Sequence, residues 1–147
     1  MHKIHKEKLL PNSPTQVFDL ILDVESYPEF VPWCESTTII SKTDQEIIAK
    51  MKVNYKGFTE SYTSRVTTNK TDKNLLVEVK AIDGPFKFLY NYWTITEENE
   101  GCKVDFQIDL EFKSFVLDKM MGLFFTNAAD KMIEAFERRA KELFKAS

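Results

Sequence analysis

The sequence is short of the residue types on which many catalytic and metal sites depend. It contains only two histidines and two cysteines in 147 residues. His2 and His5 stand at the chain start, where we expect surface roles rather than metal ligation or base chemistry. No Cys/His cluster has metal-ligand spacing, no glycine-rich phosphate loop occurs, and no glycine-flanked serine suggests a nucleophile elbow. The sequence therefore favours a protein that is not an enzyme, with no catalytic residue, metal or cofactor.

Long apolar runs and an excess of positive charge are also missing. No run approaches the ~18 residues of a membrane span, and the N-terminal MHKIHKEKLL has neither the apolar core of a signal peptide nor the composition of a transit peptide. The formal net charge of -3 argues against a DNA-binding protein, because affinity for phosphates requires excess Lys and Arg. Cys34 and Cys102 are far apart in the sequence and fit a reduced, intracellular chain. We therefore expect a cytoplasmic protein that does not bind DNA.

Turn-forming residues and repeats are scarce as well. Only four glycines and five prolines occur, with no low-complexity run and no repeat at solenoid spacing. Hydrophobic residues make up 43% of the chain, which is enough for a substantial core. Residues 1–147 are therefore predicted to form one domain.

What the sequence does contain is a long helical pattern over residues 115–145. Apolar residues recur there at three- and four-residue steps and line one side of a helix. They are Leu117, Met121, Phe124, Phe125, Ala128, Met132, Ala135, Phe136, Ala140 and Leu143. Such a helix is ~46 Å long, so we predict one unbroken closing helix that fills the centre of the fold.

The first half of this helix carries a second apolar stripe, formed by Val116, Met120 and Leu123. We favour packing of the stripe beneath a neighbouring loop or helix, with contact to a lipid or a partner as the alternative. Gly122 interrupts the same stretch and costs about 1 kcal/mol relative to alanine in a helix. Close packing against a strand is the favoured reason for this glycine, and a bend is the alternative.

The start of the chain predicts one strand and two short helices. Residues 3–10 are the strand candidate. Ser13, Pro14 and Gln16 then supply the N-cap, first-turn proline and capping box of a short helix. In the aromatic elbow, residues 25–36, two prolines forbid a continuous helix, so a one-turn helix and a tight bend are predicted.

Between residues 37 and 112 the apolar period becomes two, as in β-strands. Six strand candidates separated by turn residues follow one another: 37–43, 46–55, 58–69, 75–82, 86–96 and 102–112. A meander of this length must curl, and the closing helix is the element able to cover its concave face. The predicted class is α+β, with a helix-grip arrangement of about seven antiparallel strands. One helix cannot fill a strongly curved sheet, so a cavity between them is expected.

Strand 58–69 places an acidic residue among those expected to face the cavity. The register that turns Phe58, Tyr62 and Val66 inwards does the same for Glu60 and Ser64. An unpaired buried carboxylate is costly. Glu60 is therefore expected to lie at a wet cavity mouth, to pair with a cation, or to mark a wrong register.

Strand 86–96 is apolar on both faces. One face is predicted to carry Phe86, Phe88, Tyr90 and Tyr92, and the other Leu89, Trp93 and Ile95. Asn91 lies on the Trp93 side. A hydrogen bond to backbone is the favoured role for its amide, and a ligand carbonyl is the alternative.

Four separated blocks of the chain resemble one known family. They are YPEFVPWC (27–34), DGPFKFLYNYWTI (83–95), CKVDFQIDLEF (102–112) and AFERRA (135–140). The resemblance is to the coenzyme Q-binding and ribosome association toxin branch of the START-like, polyketide cyclase-like superfamily, and it extends from Leu10 to Leu143. It implies the helix-grip fold that the strand pattern predicts independently.

The resemblance implies three kinds of function. Mitochondrial relatives are taken to bind ubiquinone as carriers or chaperones that support respiration, bacterial relatives are described as toxins of the large ribosomal subunit that inhibit translation, and distant relatives are polyketide cyclases or aromatases. We favour ubiquinone or a related isoprenoid lipid, bound by a bacterial protein that contacts the inner membrane peripherally. The predicted ligand-binding residues are Phe30, Trp33, Phe58, Tyr62, Asn91, Trp93, Phe106, Leu117, Met121, Phe124, Phe125 and Ala128.

The two alternatives depend on other residues. Binding to the large ribosomal subunit is expected to use the basic end of the last helix, with Arg138, Arg139 and Lys141. A cyclase or aromatase needs an acid or base inside the cavity, and Glu60 is the candidate.

Overall fold

The structure, a computed structural model, describes residues 2–55 and 57–144, except for the side chain of Phe58. Lys145, the predicted end of the closing helix, lies outside this part. The strands are β1 (His2–Leu10), β2 (Cys34–Lys42), β3 (Glu46–Tyr55), β4 (Phe58–Lys70), β5 (Asn74–Asp83), β6 (Phe86–Glu98) and β7 (Gly101–Phe112). The helices are α1 (Pro14–Leu22), a 3₁₀ helix (Val24–Glu29), α2 (Phe115–Gly122) and α3 (Phe125–Leu143). The seven predicted strands and the two early helices are confirmed.

The strands form one sheet in the order β1-β7-β6-β5-β4-β3-β2, and all neighbours are antiparallel. Strands β2 to β7 are adjacent in sequence and in space, as hairpins require. β1 instead pairs with β7, so that His2 lies opposite Leu110 and Leu10 lies opposite Cys102. This register brings the start of the chain close to the end of β7, after which α2 begins. The sheet and its covering helices confirm the predicted helix-grip class.

The predicted capping box opens α1. The Ser13 hydroxyl accepts a hydrogen bond from the Gln16 N–H at 3.2 Å, and the Gln16 side-chain oxygen accepts one from the Ser13 N–H at 3.1 Å. Pro14 fits the first turn because the N–H that it lacks has no partner within a helix. The helix packs on β5, β6 and α3 through its buried residues Val17, Phe18, Leu20 and Ile21.

The closing segment is two helices, not the single helix predicted for residues 115–145. α2 ends at Gly122, the chain turns at residues 123–124, and α3 begins at Phe125. A side chain at Gly122 would place its Cβ 2.7 Å from the His2 ring. The close packing predicted for this glycine is therefore present, and so is the bend that was the alternative to it.

Two predictions about the faces of this segment are wrong. Val116, Met120 and Leu123 are 66%, 56% and 82% exposed, so no described loop or helix covers them. The reason is that α2 meets β7 and α3 through its other side. Leu143 is 49% exposed at the last residue of α3, where Phe144 packs against the core instead.

The main core lies between the concave face of the sheet and α3. The Trp93 ring lies 4.8 Å from Phe106 and 5.1 Å from Phe136, measured between centroids. Ala135 and Ala140 are fully buried in α3. Their small side chains allow α3 to approach its neighbours closely, which matches the density of protein interiors.

A smaller core cluster of Leu89, Leu110 and Phe112 lies beneath α2. Leu117 and Met121 of α2 pack against it, yet none of the eight residues of α2 is fully buried. The helix therefore covers the edge of the core without entering it. No helix in the described part of the chain is long and apolar enough to cross a bilayer.

Candidate functional site

An apolar cavity separates the concave face of the sheet from α2 and α3. Its volume is about 170 Å³, whereas one buried water needs only roughly 10–15 Å³. Most of the wall is apolar, and it includes Met51, Val53, Val77, Val79, Leu89, Ile108, Leu110, Phe112, Met132 and Phe136. The cavity expected from the curvature of the sheet is present, and its lining suits an organic ligand.

Eight of the twelve predicted ligand-binding residues line this cavity: Trp33, Tyr62, Asn91, Trp93, Phe106, Met121, Phe125 and Ala128. They come from the aromatic elbow, three strands and both closing helices, which the curved sheet brings together. The Trp33 indole N–H donates to the Ala128 carbonyl oxygen at 3.4 Å and so ties the elbow to α3. Contact of these side chains with a ligand stays a prediction.

The other four do not belong to the described lining. Phe30 packs edge-on against α3, because it follows the 3₁₀ helix directly. Leu117 packs on the cluster beneath α2, and Phe124 meets the Tyr55 ring edge to face at 6.4 Å. The turn between α2 and α3 accounts for Phe124, since it moves this residue from the face that one continuous helix would give it. Leu117 lies one helical turn before Met121, which is the residue of this face that reaches the cavity. The side chain of Phe58 lies outside the described residues.

A buried hydrogen-bond network fixes the polar part of the wall. Asn91 Nδ2 donates to the Gln107 carbonyl oxygen at 3.0 Å, and Trp93 Nε1 donates to Asn91 Oδ1 at 2.9 Å. The backbone role favoured for Asn91 is therefore confirmed. Because its indole N–H is already used, Trp93 can stack on a ligand but cannot donate to it. Asn91 retains a second amide hydrogen, for which the described residues supply no acceptor.

Tyr62 presents a phenol with a weak partner. Burial raises the pKa of Tyr62 well above its ordinary value, so the group stays protonated. Its hydroxyl donates to Met51 Sδ at 3.5 Å, and a thioether is a weak acceptor. Tyr27 differs, because its hydroxyl donates to the Ile21 carbonyl oxygen. The Tyr62 hydroxyl would therefore gain more from a ligand carbonyl than the Tyr27 hydroxyl would.

Glu60 and Ser64 test the register predicted for β4. Both line the cavity together with Tyr62 and Val66, so the register is correct. Ser64 is buried, whereas Glu60 is exposed. The cavity therefore reaches solvent at Glu60. This agrees with the first of the three predictions for this residue, a position at a wet cavity mouth. We define the cavity mouth as Glu60 and Tyr55, which flank the β3–β4 hairpin and line the cavity.

His2 is a site residue that sequence reasoning missed. It lines the cavity, and its Nε2 lies 3.0 Å from Asp118 Oδ1. The same carboxylate oxygen accepts a hydrogen bond from the Phe112 N–H at 2.9 Å. Burial acts to raise the pKa of Asp118, but the Phe112 N–H and the His2 ring outweigh it and lower that pKa below its ordinary value. The surface role predicted for His2 is wrong because pairing of β1 with β7 brings it beside α2.

Phe86 is the second missed residue. It was predicted on the face of Phe88, yet it lines the cavity with Leu89. A bulge between Phe86 and Phe88 in the pairing with β7 shifts the alternation by one residue. In the preceding turn, Gly84 has φ +126°, and a Cβ there would lie 2.5 Å from Tyr62 Cβ. Only glycine permits this turn to pack so closely on the cavity wall.

The face of the sheet away from the cavity carries a cluster of ionisable groups. His5, Glu7 and Asp105 bring possible ligand atoms within 4.8 Å of one another. The His5 Nε2 lies 2.9 Å from the Asp105 carboxylate, and this hydrogen bond raises the pKa of His5. His5 and Glu7 are exposed. The surface role expected for His5 is confirmed, and the cluster has no connection to the cavity.

Comparison with known proteins agrees with this geometry. Residues 10–137 match the family described as polyketide cyclase / dehydrase and lipid transport. The chain is 43% identical over 139 residues to the ribosome association toxin RatA of Rickettsia prowazekii, covering 94% of this chain and 95% of that protein. It is 29% identical over 146 residues to the mitochondrial coenzyme Q-binding protein COQ10 homolog B of Xenopus laevis, covering 95% of this chain and 58% of that protein.

Two solved structures share the fold. An 18 kDa protein from Caulobacter crescentus is 34% identical, with a TM-score of 0.77 and coverage of 99% of this chain and 100% of that chain. A STAR-related lipid transfer protein from Xanthomonas axonopodis has a TM-score of 0.82 at 13% identity, covers 95% of this chain and 85% of that chain, and shows the fold alone. The chain therefore belongs to the polyketide cyclase / dehydrase and lipid transport family, in the START-like branch that holds the ribosome association toxins and coenzyme Q-binding proteins.

Proposed function

We propose that the chain binds ubiquinone or a related isoprenoid lipid in the cavity, without transforming it. The observation that carries the proposal is the apolar cavity of about 170 Å³ between the sheet and the closing helices. Apolar walls offer water few hydrogen bonds, so an apolar ligand is the better occupant. The protein would then act as a carrier or chaperone in the bacterial cytoplasm, close to the inner membrane.

A quinone head group matches the polar groups of the wall. It combines an apolar ring with carbonyl oxygens that accept hydrogen bonds. We assign the Tyr62 hydroxyl and the second amide hydrogen of Asn91 as donors to these oxygens, and Trp93 offers a ring face for stacking. Met121 and Phe125 provide apolar surface for an isoprenoid tail. The name of the Xenopus relative, a coenzyme Q-binding protein, supports this class of ligand.

The ionisable groups of the lining support binding rather than catalysis. General acid–base catalysis needs a group whose pKa lies near the working pH and which reaches the substrate. Burial raises the pKa values of Tyr27 and Tyr62 and keeps both phenols protonated. Glu60, the candidate acid or base of a cyclase, stands in solvent at the cavity mouth. The cyclase alternative therefore lacks a buried acid or base at Glu60.

Mass spectrometry of an organic extract tests the proposal, using protein purified without detergent. Ala128→Phe would fill the cavity, because Ala128 lines it. Thr126→Phe is the matched control, since Thr126 is an exposed residue of the same helix. We expect a quinone or prenyl lipid with the wild type and with Thr126→Phe, and its loss with Ala128→Phe. A wild-type cavity that stays empty after incubation with ubiquinone would contradict the proposal.

The conservative variant Tyr62→Phe tests the assigned hydrogen-bond donor. It removes one hydroxyl and leaves the ring that packs against Phe86. Because the hydroxyl has only a thioether partner in the free protein, thermal stability should change little. Affinity for ubiquinone should fall by about two- to tenfold, the value of one neutral hydrogen bond. If the wild type and Tyr62→Phe bound ubiquinone with equal affinity in a titration followed by Trp fluorescence, the Tyr62 hydroxyl would not be a donor to the ligand.

The name of the Rickettsia relative, a ribosome association toxin, favours a second candidate, association with the ribosome. We propose the large subunit as the partner in this case. Arg138 and Lys141 are exposed on α3 and remain available for it. Arg139 differs, because it pairs with Glu29 at 3.3 Å and its guanidinium lies 5.3 Å from the centre of the Phe30 ring. The predicted basic surface therefore consists of two cations, not three.

Cosedimentation with purified ribosomal subunits tests this candidate. The double variant Arg138→Glu/Lys141→Glu should abolish binding, and binding by the wild type should fall steeply with salt. Lys131→Glu, an exposed position of the same helix, is the control for a general loss of positive charge. If binding did not depend on salt and the double variant bound as tightly as the wild type, Arg138 and Lys141 would be excluded as the ribosome contact.

A further inference from the structure

The outer side of α2 is an apolar surface that nothing in the described chain covers. Phe115, Val116, Met120 and Leu123 are 79%, 66%, 56% and 82% exposed; we call these four residues the α2 apolar face. Single exposed apolar residues are common on proteins, but a contiguous group on one short helix marks an interaction site.

Within residues 113–129 the exposed charged side chains are all positive. Between residues 113 and 129 the charged residues are Lys113, Asp118 and Lys119. Asp118 points inwards to His2 and the Phe112 N–H, whereas both lysines are exposed. The Lys119 ammonium lies 5.7 Å from the centre of the Phe115 ring, so it borders the apolar face directly. On a protein of net charge -3, this is a local positive rim.

The helix that carries this face also contributes to the cavity wall. Met121 belongs to the same helix and lines the cavity. Leu123 is followed by Phe124, whose ring contacts Tyr55 at the cavity mouth. A lipid that leaves the cavity between α2 and the cavity mouth would therefore come out next to the α2 apolar face and would reach the surface that this face contacts.

We propose that the α2 apolar face inserts into the headgroup region of an anionic membrane, with Lys113 and Lys119 beside the lipid phosphates. Apolar side chains rimmed by cations are the pattern of an interfacial helix. A second copy of this chain fits less well, because a two-fold interface places the same patch on both sides and brings lysines against lysines. The inference deepens the proposed lipid-binding function and rests on it for the meaning of the cavity, but its test needs no bound ligand.

Vesicle cosedimentation of the purified chain tests the proposal. The probes are vesicles of equimolar phosphatidylcholine and phosphatidylglycerol, and vesicles of phosphatidylcholine alone. We expect binding to the anionic vesicles and much weaker binding to the neutral ones. Lys113→Gln and Lys119→Gln should each weaken binding about fivefold, and Phe115→Ser/Leu123→Ser should weaken it about tenfold or more.

Two matched controls keep the result specific. Leu9→Ser/Ile40→Ser removes two other exposed apolar side chains, on β1 and β2, and should bind as the wild type does. Ala128→Phe blocks the cavity and should also bind anionic vesicles normally. If the wild type bound anionic vesicles but its cavity held no lipid, the proposed function would be wrong and the docking proposal would stand. If the wild type held a lipid but did not bind vesicles, the docking proposal would be wrong and the proposed function would stand.

Two further outcomes would overturn the docking proposal. One is anionic-vesicle binding that Phe115→Ser/Leu123→Ser leaves unchanged. The other is a dimer in light scattering without vesicles that the same double variant converts to monomer, since this would assign the face to a second copy. Thermal melting of the double variant should match the wild type, because neither side chain is buried.

Discussion

The two helices of the closing segment have similar apolar patterns in the sequence and opposite positions in the fold. α3 buries Ala129, Ile133, Ala135, Phe136 and Ala140, whereas all eight residues of α2 remain at least partly exposed. The difference arises at the turn of residues 123–124. α2, before the turn, stays at the edge of the sheet, whereas α3, after it, lies on the concave side. An apolar stripe in the sequence thus does not predict by itself whether the rest of the chain covers it.

The two helices are also held in different ways. α3 is held by packed rings, with Tyr27, Phe30 and Trp93 all in contact with Phe136. α2 is held by the partly buried side chains of Leu117 and Met121 and by Asp118, which joins His2 to the end of β7. Elements with few buried apolar contacts open at lower free energy than the core. We therefore expect α2 to open at lower free energy than α3.

The largest effect should come from the packed helix. Phe136→Ala removes a ring enclosed by three aromatic neighbours and should lower the free energy of unfolding by about 3–5 kcal/mol. Leu123→Ala in the exposed turn should change it by less than about 0.5 kcal/mol. Urea unfolding followed by far-UV circular dichroism measures both. Comparable losses in the two variants would show that the turn region is buried in solution.

A smaller loss of stability should follow from breaking the buried hydrogen-bond network of Asn91 and Trp93 in the cavity wall. Asn91→Ala leaves the Trp93 indole N–H buried without its acceptor and should cost about 1–3 kcal/mol. In a Trp93→Phe background that N–H is absent, so Asn91→Ala should cost less. Additive losses in this double-mutant cycle would mean that the two side chains do not interact.

The smallest effect should appear at the contact that holds α2. Asp118→Asn weakens the hydrogen bonds to His2 and Phe112 and should cost about 1 kcal/mol near neutral pH. The folded state lowers the pKa of Asp118, so the carboxylate stabilises the fold above the unfolded pKa, and that contribution is lost as pH falls through the folded pKa.

The stability difference between wild type and Asp118→Asn should therefore narrow below about pH 4. Thermal melts over a pH series measure this difference. A Glu111→Gln variant is a useful comparison, since the Lys87 hydrogen bond lowers the pKa of this partly buried carboxylate of β7. A difference for Asp118→Asn that widens towards acid would contradict the assigned role of Asp118.

Local patterns allowed much of the fold to be predicted. The capping box of Ser13 and Gln16, the period of two in β3 and β7, and the inward register of Tyr62 each depend on residues close together in sequence. The same register placed most of the predicted ligand-binding residues around one cavity. Local patterns failed at Phe86, where a bulge shifts the alternation, and at Phe124, where the helix breaks.

The order of strands and helices, most of the apolar faces that form the core, and the family follow from the sequence, because each depends on spacing along the chain. The tertiary structure decided which residues form the wall of the cavity and which apolar stripe stays uncovered. His2 and Asp118 are 116 residues apart, and only the pairing of β1 with β7 brings them together. The spacing of apolar residues in the sequence cannot predict a contact between residues so far apart. The contacts that hold α2 and the exposure of its outer face could therefore be seen only in the tertiary structure.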